Sequence, residues 1–196
     1  QENDTSFPWL IDGDFLSGSY IRDTKLRPLD DIDIMIVIDG TGLHAIDNGA
    51  IIDAEVRGSG KEGSPVTLYV DGSGLISSVK ILDVFKNALK ESYPDSDIRP
   101  DGQAINIWLE SYELGLDIVP CFHILPRNGT QDFYYIPVGG GQCHWMKTNP
   151  KIDQRIGDWL HNQHNKNLKA VIRLIKYWND TNNQDSFGKP RLRSYH

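Results

Sequence analysis

Apolar and polar positions along this chain recur with two different periods, and the period predicts which segments form strands and which form helices. The run Ile34–Ile38 is apolar, β-branched and too short for a helix, which predicts a buried strand. From residue 75 to residue 93 the apolar positions recur at helical spacing. Two further strands are predicted at Ala104–Leu109 and Leu114–Val119, joined by a polar turn.

The segment between the first strand and the first helix, residues 39–73, is rich in glycine and has no steady period. It contains Gly58-Ser-Gly-Lys61, a fragment of a phosphate-binding loop. Neither the full spacing of that motif nor the Ser or Thr that should follow its lysine is present. We therefore expect a long, mobile insertion that carries short strands of its own, such as Val66–Val70.

The last third of the chain predicts two helices. Asn149 can cap the first, and Pro150 suits its first turn. The second helix, from Lys166 to about Asn179, combines a buried face with a ridge of three cations about a third of a turn away. The buried face comprises Leu168, Val171, Ile172, Ile175 and Trp178, and the ridge comprises Lys169, Arg173 and Lys176. In an acidic chain, such a ridge indicates a polyphosphate partner better than a solubilising surface.

Composition limits the classes of function. The 196 residues are 39% apolar, which is enough for one sizeable core or for one domain with an appendage. The net charge of −7 argues against a general nucleic-acid surface, because such surfaces need many phosphate-neutralising cations. Two cysteines make no disulfide framework and no segment reaches membrane-spanning length, so we expect a cytoplasmic protein that does not associate with membranes.

Three aspartates carry the strongest chemical signal. Asp31 and Asp33 open the first predicted strand and project from the same side of it, roughly 7 Å apart along the backbone. Two neighbouring carboxylates repel unless a cation lies between them, and hard divalent cations prefer oxygen ligands. Asp117 interrupts an otherwise apolar strand, where a charge is costly unless it is paired or binds a metal. Together the three predict a two-metal site.

Gly18 and Ser19 precede these aspartates by a short polar and basic stretch. A glycine lets the backbone approach a phosphate closely, and the serine offers a hydroxyl beside it. This order of Gly-Ser followed by Asp-x-Asp resembles the nucleotidyltransferase superfamily of DNA polymerase beta. In that superfamily a Gly-Ser pair holds a triphosphate and an Asp-x-Asp holds two magnesium ions.

Five motifs in order narrow the resemblance to the bacterial cyclic oligonucleotide synthases. These are relatives of cyclic GMP-AMP synthase and oligoadenylate synthetase that make signalling nucleotides in phage defence. The motifs are Gly18-Ser19-Tyr20, Asp31-Ile32-Asp33, Asp117-Ile-Val-Pro120, Arg173-Leu-Ile-Lys176-Tyr-Trp178 and Ser194-Tyr195-His196. The resemblance implies an α+β fold: a polymerase-beta-like core with a mixed central sheet flanked by helices, followed by the start of a helical C-terminal lobe.

The resemblance also implies a role for each motif. The catalytic residues that hold two Mg²⁺ ions, or Mn²⁺ in their place, would be Asp31, Asp33 and Asp117. The triphosphate would be bound by Gly18, Ser19, Lys176 and Ser194, with support from Arg173. Tyr195 would stack on a nucleobase. The expected substrates are NTPs, ATP or GTP above all, and the reaction would release pyrophosphate.

The expected organisation has two parts. Residues 1–148 would form the catalytic core and residues 149–196 would begin the helical lobe. Only seventeen residues precede Gly18, and the chain stops within the Ser-Tyr-His motif. We therefore expect a trimmed core that synthesises little, because terminal residues fray unless they are anchored. No nucleic-acid activator is inferred, and no motif identifies a regulatory protein partner.

Three other functions stay open on the sequence alone. A related transferase could add nucleotides to a hydroxyl of an RNA, a protein or a small molecule. A non-catalytic sensor could bind nucleotide, although a degenerate relative commonly loses a metal ligand. A zinc module could use Cys121, His123, Cys143 and His144. However, Cys143 and His144 are adjacent in the chain, and adjacent residues cannot easily supply two ligands to one tetrahedral site.

Overall fold

The computed structural model describes residues 6–11, 13–26, 31–46, 52–124, 133–139 and 143–183. The chain divides into two compact units: residues 1–16 with residues 31–149, and residues 17–30 with residues 150–196. The first unit is built around a β-sheet and the second around helices. None of the described helices is both long and apolar enough to cross a lipid bilayer.

The sheet contains nine strands within the described residues. In chain order these are β1 Phe15–Ser17, β2 Asp31–Ile38, β3 Leu43–Ile46, β4 Ile52–Gly58, β5 Asp97–Asp101, β6 Ala104–Leu109, β7 Leu114–Ile124, β8 Phe133–Pro137 and β9 Trp145–Thr148. The spatial order is β1-β2-β7-β8-β9-β4-β3, and β6 also pairs with β7 and with β5. Because β2 runs parallel to β7 while β6 and β8 run antiparallel to it, the sheet is mixed, which confirms the predicted α+β class.

The long strand β7 continues well beyond the predicted Leu114–Val119 and passes through Pro120. A proline normally disrupts a central strand because it has no N–H to donate. Here β6 pairs with β7 only as far as Ile118, and β8 pairs with it only from Phe122. Pro120 lies between these two segments, where that edge of β7 has no ladder to interrupt.

The helix α2, Ser78–Ser92, covers one face of the sheet and forms where the helical period predicts it. Ser77 caps it, since its Oγ accepts a hydrogen bond from the backbone N–H of Lys80 at 3.4 Å. Its buried residues Ile81, Leu82 and Phe85 belong to the larger hydrophobic core of the unit. Because the larger core occupies the face under α2, partly exposed polar side chains of the central strands lie on the opposite face.

The segment predicted to be an insertion, residues 39–73, contributes two strands to the sheet, β3 and β4. β4 pairs with β9, and β3 pairs with β4 as a hairpin. The predicted strand Val66–Val70 is wrong, because Pro65–Tyr69 forms a 3-10 helix. Ser64 starts that helix by accepting a hydrogen bond from the N–H of Val66 at 3.4 Å, and Pro65 occupies its first position.

Asp71 organises the turn that follows this 3-10 helix. Its Oδ1 accepts hydrogen bonds from the N–H of Ser73 at 2.8 Å, from the Ser73 hydroxyl at 2.7 Å and from the N–H of Leu75 at 3.0 Å. These bonds favour the charged carboxylate, so the Ser73 hydroxyl foremost, and then the Leu75 amide, hold the pKa of Asp71 below its ordinary value of 3.8.

We expect Asp71→Ala to lower the thermal midpoint at pH 7. Because the folded pKa is depressed, the stabilisation is present above the unfolded pKa and is lost as the pH falls through the folded one. The difference in midpoint between the two proteins should therefore shrink below about pH 4. Differential scanning calorimetry across pH 2–7 measures this difference, with Asp95→Ala at an exposed turn position as the control. A difference that persists unchanged at pH 2 would contradict the assignment to the carboxylate.

The second unit contains the short helix α1 Gly18–Ile21 and the longer helices α3 Pro150–Gln163 and α4 Leu168–Asn182. α3 begins at Pro150 as predicted. The predicted buried face of α4 is wrong in part, because Val171, Ile175 and Trp178 are 48%, 50% and 48% exposed. α3 and α4 pack on each other, and a pair of helices covers only one stripe of each.

Candidate active site

The parallel pairing of β2 with β7 brings the three predicted aspartates to one face of the sheet. In the register, Asp33 lies directly opposite Asp117, and Asp31 precedes Asp33 by two residues. Neighbouring strands are about 4.8 Å apart, and alternate residues of a strand share a face. All three side chains are half-buried. Residues more than 80 positions apart in the chain thus become direct neighbours.

Asn106 joins this group although the sequence reasoning missed it. It lies opposite Asp117 on the antiparallel neighbour β6, and its Nδ2 donates a hydrogen bond to Oδ1 of Asp117 at 2.9 Å. A signal was present in the sequence, because Asn106 interrupts the apolar strand Ala104–Leu109 in the same way as Asp117 interrupts its own strand. Only the register shows that the two interruptions meet.

An apolar cluster lies on the same face as the aspartates. Beyond the aspartates, β2 contributes Met35 and Val37, and β7 contributes Val119 and Cys121, to a second, smaller hydrophobic cluster with Tyr134. The carboxylates therefore lie beside an apolar cluster on the same face of the sheet. Partial burial beside apolar side chains favours any cation that neutralises them.

The donor set of this face consists of carboxylate oxygens, which suits Mg²⁺ or Mn²⁺. Within the described residues, no three histidine, cysteine, aspartate or glutamate side chains already form a group that could hold a metal ion. Two observations therefore support a divalent cation here: the ligands are carboxylate oxygens, and the three carboxylates share one face of the sheet.

Within the described residues, the four residues of the zinc alternative do not form a group that could hold a metal ion. Cys121 is buried, with its Sγ donating to the carbonyl of Ile36 at 3.4 Å. The ring of His123 stacks on Tyr134 at a centroid distance of 4.9 Å. His144 lies 2.7 Å from a carboxylate oxygen of Asp53. Cys143, half-buried, adjoins His144 in the chain.

The Gly-Ser motif belongs to the second unit. Gly18 has a φ of +68°, a left-handed conformation that favours glycine, and it opens the four-residue helix α1. The chain then turns back on itself, since the N–H of Thr24 donates to the carbonyl of Ser19 at 3.0 Å. Ser19 is half-buried in this turn.

The basic ridge of α4 lies in the same unit, but its cations have different partners. The ammonium of Lys169 lies 2.7 Å from a carboxylate oxygen of Asp158 on α3. Arg173 donates to the carbonyl of Asp23 at 2.6 Å and lies 3.3 Å from its carboxylate, which ties α4 to the turn after the Gly-Ser motif. Lys176 follows Arg173 by one turn and is half-buried. The three cations of the ridge are therefore not equivalent. Lys169 forms an ion pair that joins α4 to α3.

Two predicted binding residues, Ser194 and Tyr195, lie outside the described residues. The remaining predicted residues fall into two groups. The aspartates lie in the sheet unit, whereas Gly18, Ser19, Arg173 and Lys176 lie in the helical unit.

Comparison with known proteins gives a curated sequence relative and solved structures of similar fold. No family model matches the chain. The chain is 32% identical over 178 residues to a probable cyclic nucleotide synthase of Bacillus cereus (strain VD146), an alignment that covers 89% of this chain and 52% of that protein. It thus spans about half the length of this curated relative.

Among solved structures, the chain is similar to CdnC of E. coli MS115-1, determined with ATP. The TM-score is 0.52 at 18% sequence identity, over 87% of this chain and 43% of that one. At this identity the likeness is one of fold. It agrees with the polymerase-beta-like core that the motifs imply.

Proposed function

We propose that this chain, which is similar over 89% of its length to a probable cyclic nucleotide synthase, is a nucleotidyltransferase of the cyclic oligonucleotide synthase family and carries the catalytic carboxylates of an enzyme that joins NTPs into a cyclic di- or oligonucleotide. The observation that carries the proposal is the register of the parallel pair, in which Asp33 lies opposite Asp117 on the face that also bears Asp31. Three carboxylates on one sheet face have few structural uses, because their mutual repulsion destabilises the fold.

In this proposal Asp31, Asp33 and Asp117 hold two Mg²⁺ ions, for which Mn²⁺ can substitute. When bound, such ions neutralise the triphosphate and stabilise the entering and leaving oxygens of an in-line displacement. The carboxylates keep the ions beside the sheet, and the apolar cluster beyond them lowers the local dielectric, which strengthens every charge interaction there.

The reaction exchanges one phosphorus–oxygen bond for another. The ribose hydroxyl of one nucleotide forms a bond to the α-phosphorus of a second, the bond from that phosphorus to the bridging oxygen breaks, and pyrophosphate leaves. Asp117 accepts the proton of the attacking hydroxyl, since a carboxylate held by a hydrogen bond keeps a defined direction. The linear product keeps one triphosphate, and attack of its own free ribose hydroxyl on that α-phosphorus, again with release of pyrophosphate, would close the ring.

The donor triphosphate is assigned to the helical unit. Ser19 offers a hydroxyl beside the left-handed Gly18, and Lys176 supplies positive charge with Arg173 one turn away. The contact of Arg173 with Asp23 supports a role in holding the turn that carries Ser19. Ser194 and Tyr195 complete the proposed site as a further phosphate contact and a base-stacking side chain.

The wider role follows from the reaction. NTPs are intracellular substrates, so we propose a cytoplasmic enzyme that uses ATP or GTP. A signalling product would fit a bacterial defence against phage.

Incubation with the four NTPs and Mg²⁺ or Mn²⁺, followed by mass analysis of phosphatase-resistant products, tests the proposed activity. Cyclic products formed without any added acceptor are the expected result. Transfer that occurs only when an RNA, a protein or a small hydroxyl compound is supplied would replace this function by that of another nucleotidyltransferase. Binding of NTP without any transfer, with metal supplied and with product detection sensitive enough for slow synthesis, would indicate a sensor.

We expect Lys176→Ala to weaken ATP binding about tenfold, close to 1.4 kcal/mol, and to leave adenosine binding nearly unchanged. The reason is that an ammonium acts on the phosphates and not on the nucleoside. Isothermal titration with both ligands measures the two losses, with Lys90→Ala at an exposed position of α2 as the control. Equal losses for ATP and adenosine would remove Lys176 from the phosphate site.

A further inference from the structure

Asn106 makes a side-chain contact with the aspartate group: its Nδ2 donates a hydrogen bond to Oδ1 of Asp117 at 2.9 Å. The two residues are register partners on β6 and β7. Directly opposed residues on antiparallel strands have the shortest Cβ–Cβ separations within a sheet, so the amide reaches the carboxylate without leaving its own strand.

Strand pairing does not need this hydrogen bond. β6 and β7 already share a continuous register from Ile105 opposite Ile118 to Leu109 opposite Leu114. A half-buried amide in an otherwise apolar strand costs desolvation that Val or Ile would avoid. The position therefore calls for an explanation other than sheet formation.

The chemistry of an amide suits a carboxylate that must stay charged and available. A lysine or arginine at this position would neutralise Asp117 and compete with a cation, whereas a carboxylate would repel it. The neutral NH₂ group does neither, yet it fixes one oxygen and thereby restricts rotation of the carboxylate.

We propose that Asn106 is a positioning residue, whose amide holds the Asp117 carboxylate in the orientation that binds a divalent cation on the face shared with Asp33. This inference rests on the proposed function, because it assigns Asp117 to the metal. It extends the site to a third strand, β6, which contributes no aspartate to the group.

A titration of the chain with Mn²⁺ tests this proposal without relying on turnover. Electron paramagnetic resonance measures the Mn²⁺ that stays free, and hence the amount that is bound. Asn106→Leu keeps the branched shape of the side chain and removes the donor. We expect it to weaken Mn²⁺ binding about tenfold or more, as loss of a group that orients a metal ligand generally does. Asn106→Gln, which keeps the amide on a longer stem, should recover part of the affinity.

Three further variants make the result decisive. Asn87→Leu makes the same chemical change at an exposed position of α2 and should bind Mn²⁺ like the unaltered chain. Asn106→Ala removes the donor without adding bulk, so it serves if the leucine variant does not fold. Asp117→Asn removes the proposed ligand itself and should lose the site.

The outcomes separate this inference from the proposed function. Unchanged Mn²⁺ affinity in Asn106→Leu and Asn106→Ala, alongside lost affinity in Asp117→Asn, would overturn the positioning role and leave the metal site standing. Absence of Mn²⁺ binding by the unaltered chain would overturn the metal site and the positioning role with it.

Discussion

Asp33→Asn should reduce nucleotide transfer by about a thousandfold or more while leaving the fold intact. That magnitude is typical for loss of a charge-stabilising group at a phosphoryl-transfer site. Asp33 lies opposite Asp117 in the parallel register, so each of these two has a direct carboxylate neighbour on the next strand. Asparagine keeps the shape of the side chain but has no charge to offer a divalent cation.

The assay measures the rate of cyclic product formation from NTPs, and circular dichroism with a thermal scan checks the fold. Asp31→Asn and Asp117→Asn should behave alike, since the three carboxylates act as a unit. Asp101→Asn, at an exposed position of β5, is the matched control and should keep full activity. Full activity in Asp33→Asn would contradict the assignment of Asp33 to a metal site.

In the absence of metal, Asp33→Asn should have a thermal midpoint at least as high as that of the unaltered chain. Asp31, Asp33 and Asp117 repel one another when no cation is bound, so the neutral variant relieves part of that repulsion. A thermal midpoint equal to or above that of the unaltered chain, combined with lost activity, would separate a functional role from a structural one.

Trp145→Ala should lower the free energy of unfolding by about 3–5 kcal/mol, the usual range for deleting a large buried aromatic side chain. Trp145 is fully buried on β9 and packs against Phe122 with ring centroids 4.9 Å apart. Its indole Nε1–H donates to the carbonyl of Ile76 at 2.7 Å. The same residue therefore joins β9 to β7 and to the segment that precedes α2.

A short series separates packing from hydrogen bonding in that effect. Trp145→Phe keeps most of the apolar volume but leaves the Ile76 carbonyl without its donor, which should cost about 1–3 kcal/mol. Tyr112→Ala, where the side chain is 77% exposed, should change stability by less than about 0.5 kcal/mol. Urea denaturation measures all three variants. A loss for Trp145→Ala as small as that of Tyr112→Ala would show that β9 does not hold the core together.

Local signals in the sequence were sufficient for the elements that depend on local chemistry. The strand at Ile34–Ile38, the helix that Ser77 caps and the helix that begins at Pro150 all form as predicted. Each has a period or a capping residue within a few positions of its start, so its backbone preference and its burial agree. The same holds for the spacing that puts Asp31 and Asp33 on one side of a strand.

Local signals misled where a competing local interaction was stronger. Val66–Val70 has the β-branched and aromatic composition of a strand, but Pro65 and the Ser64 cap start a 3-10 helix instead. The apolar face of α4 has a clear helical period, yet periodicity does not say whether a neighbouring element covers it. Val171, Ile175 and Trp178 are accordingly exposed.

The tertiary structure alone decided which distant residues meet. The sequence by itself determined that carboxylates occur on two strands, and it marked Asn106 as a polar interruption of a third. The parallel register of β2 and β7 placed Asp33 opposite Asp117, and the antiparallel register of β6 placed Asn106 beside it. Register is set by many pairings and by burial of one face across the whole sheet, so no window of sequence contains it. For the same reason, the partners of Lys169 and Arg173 became visible only when α3, α4 and the turn at Asp23 were assembled.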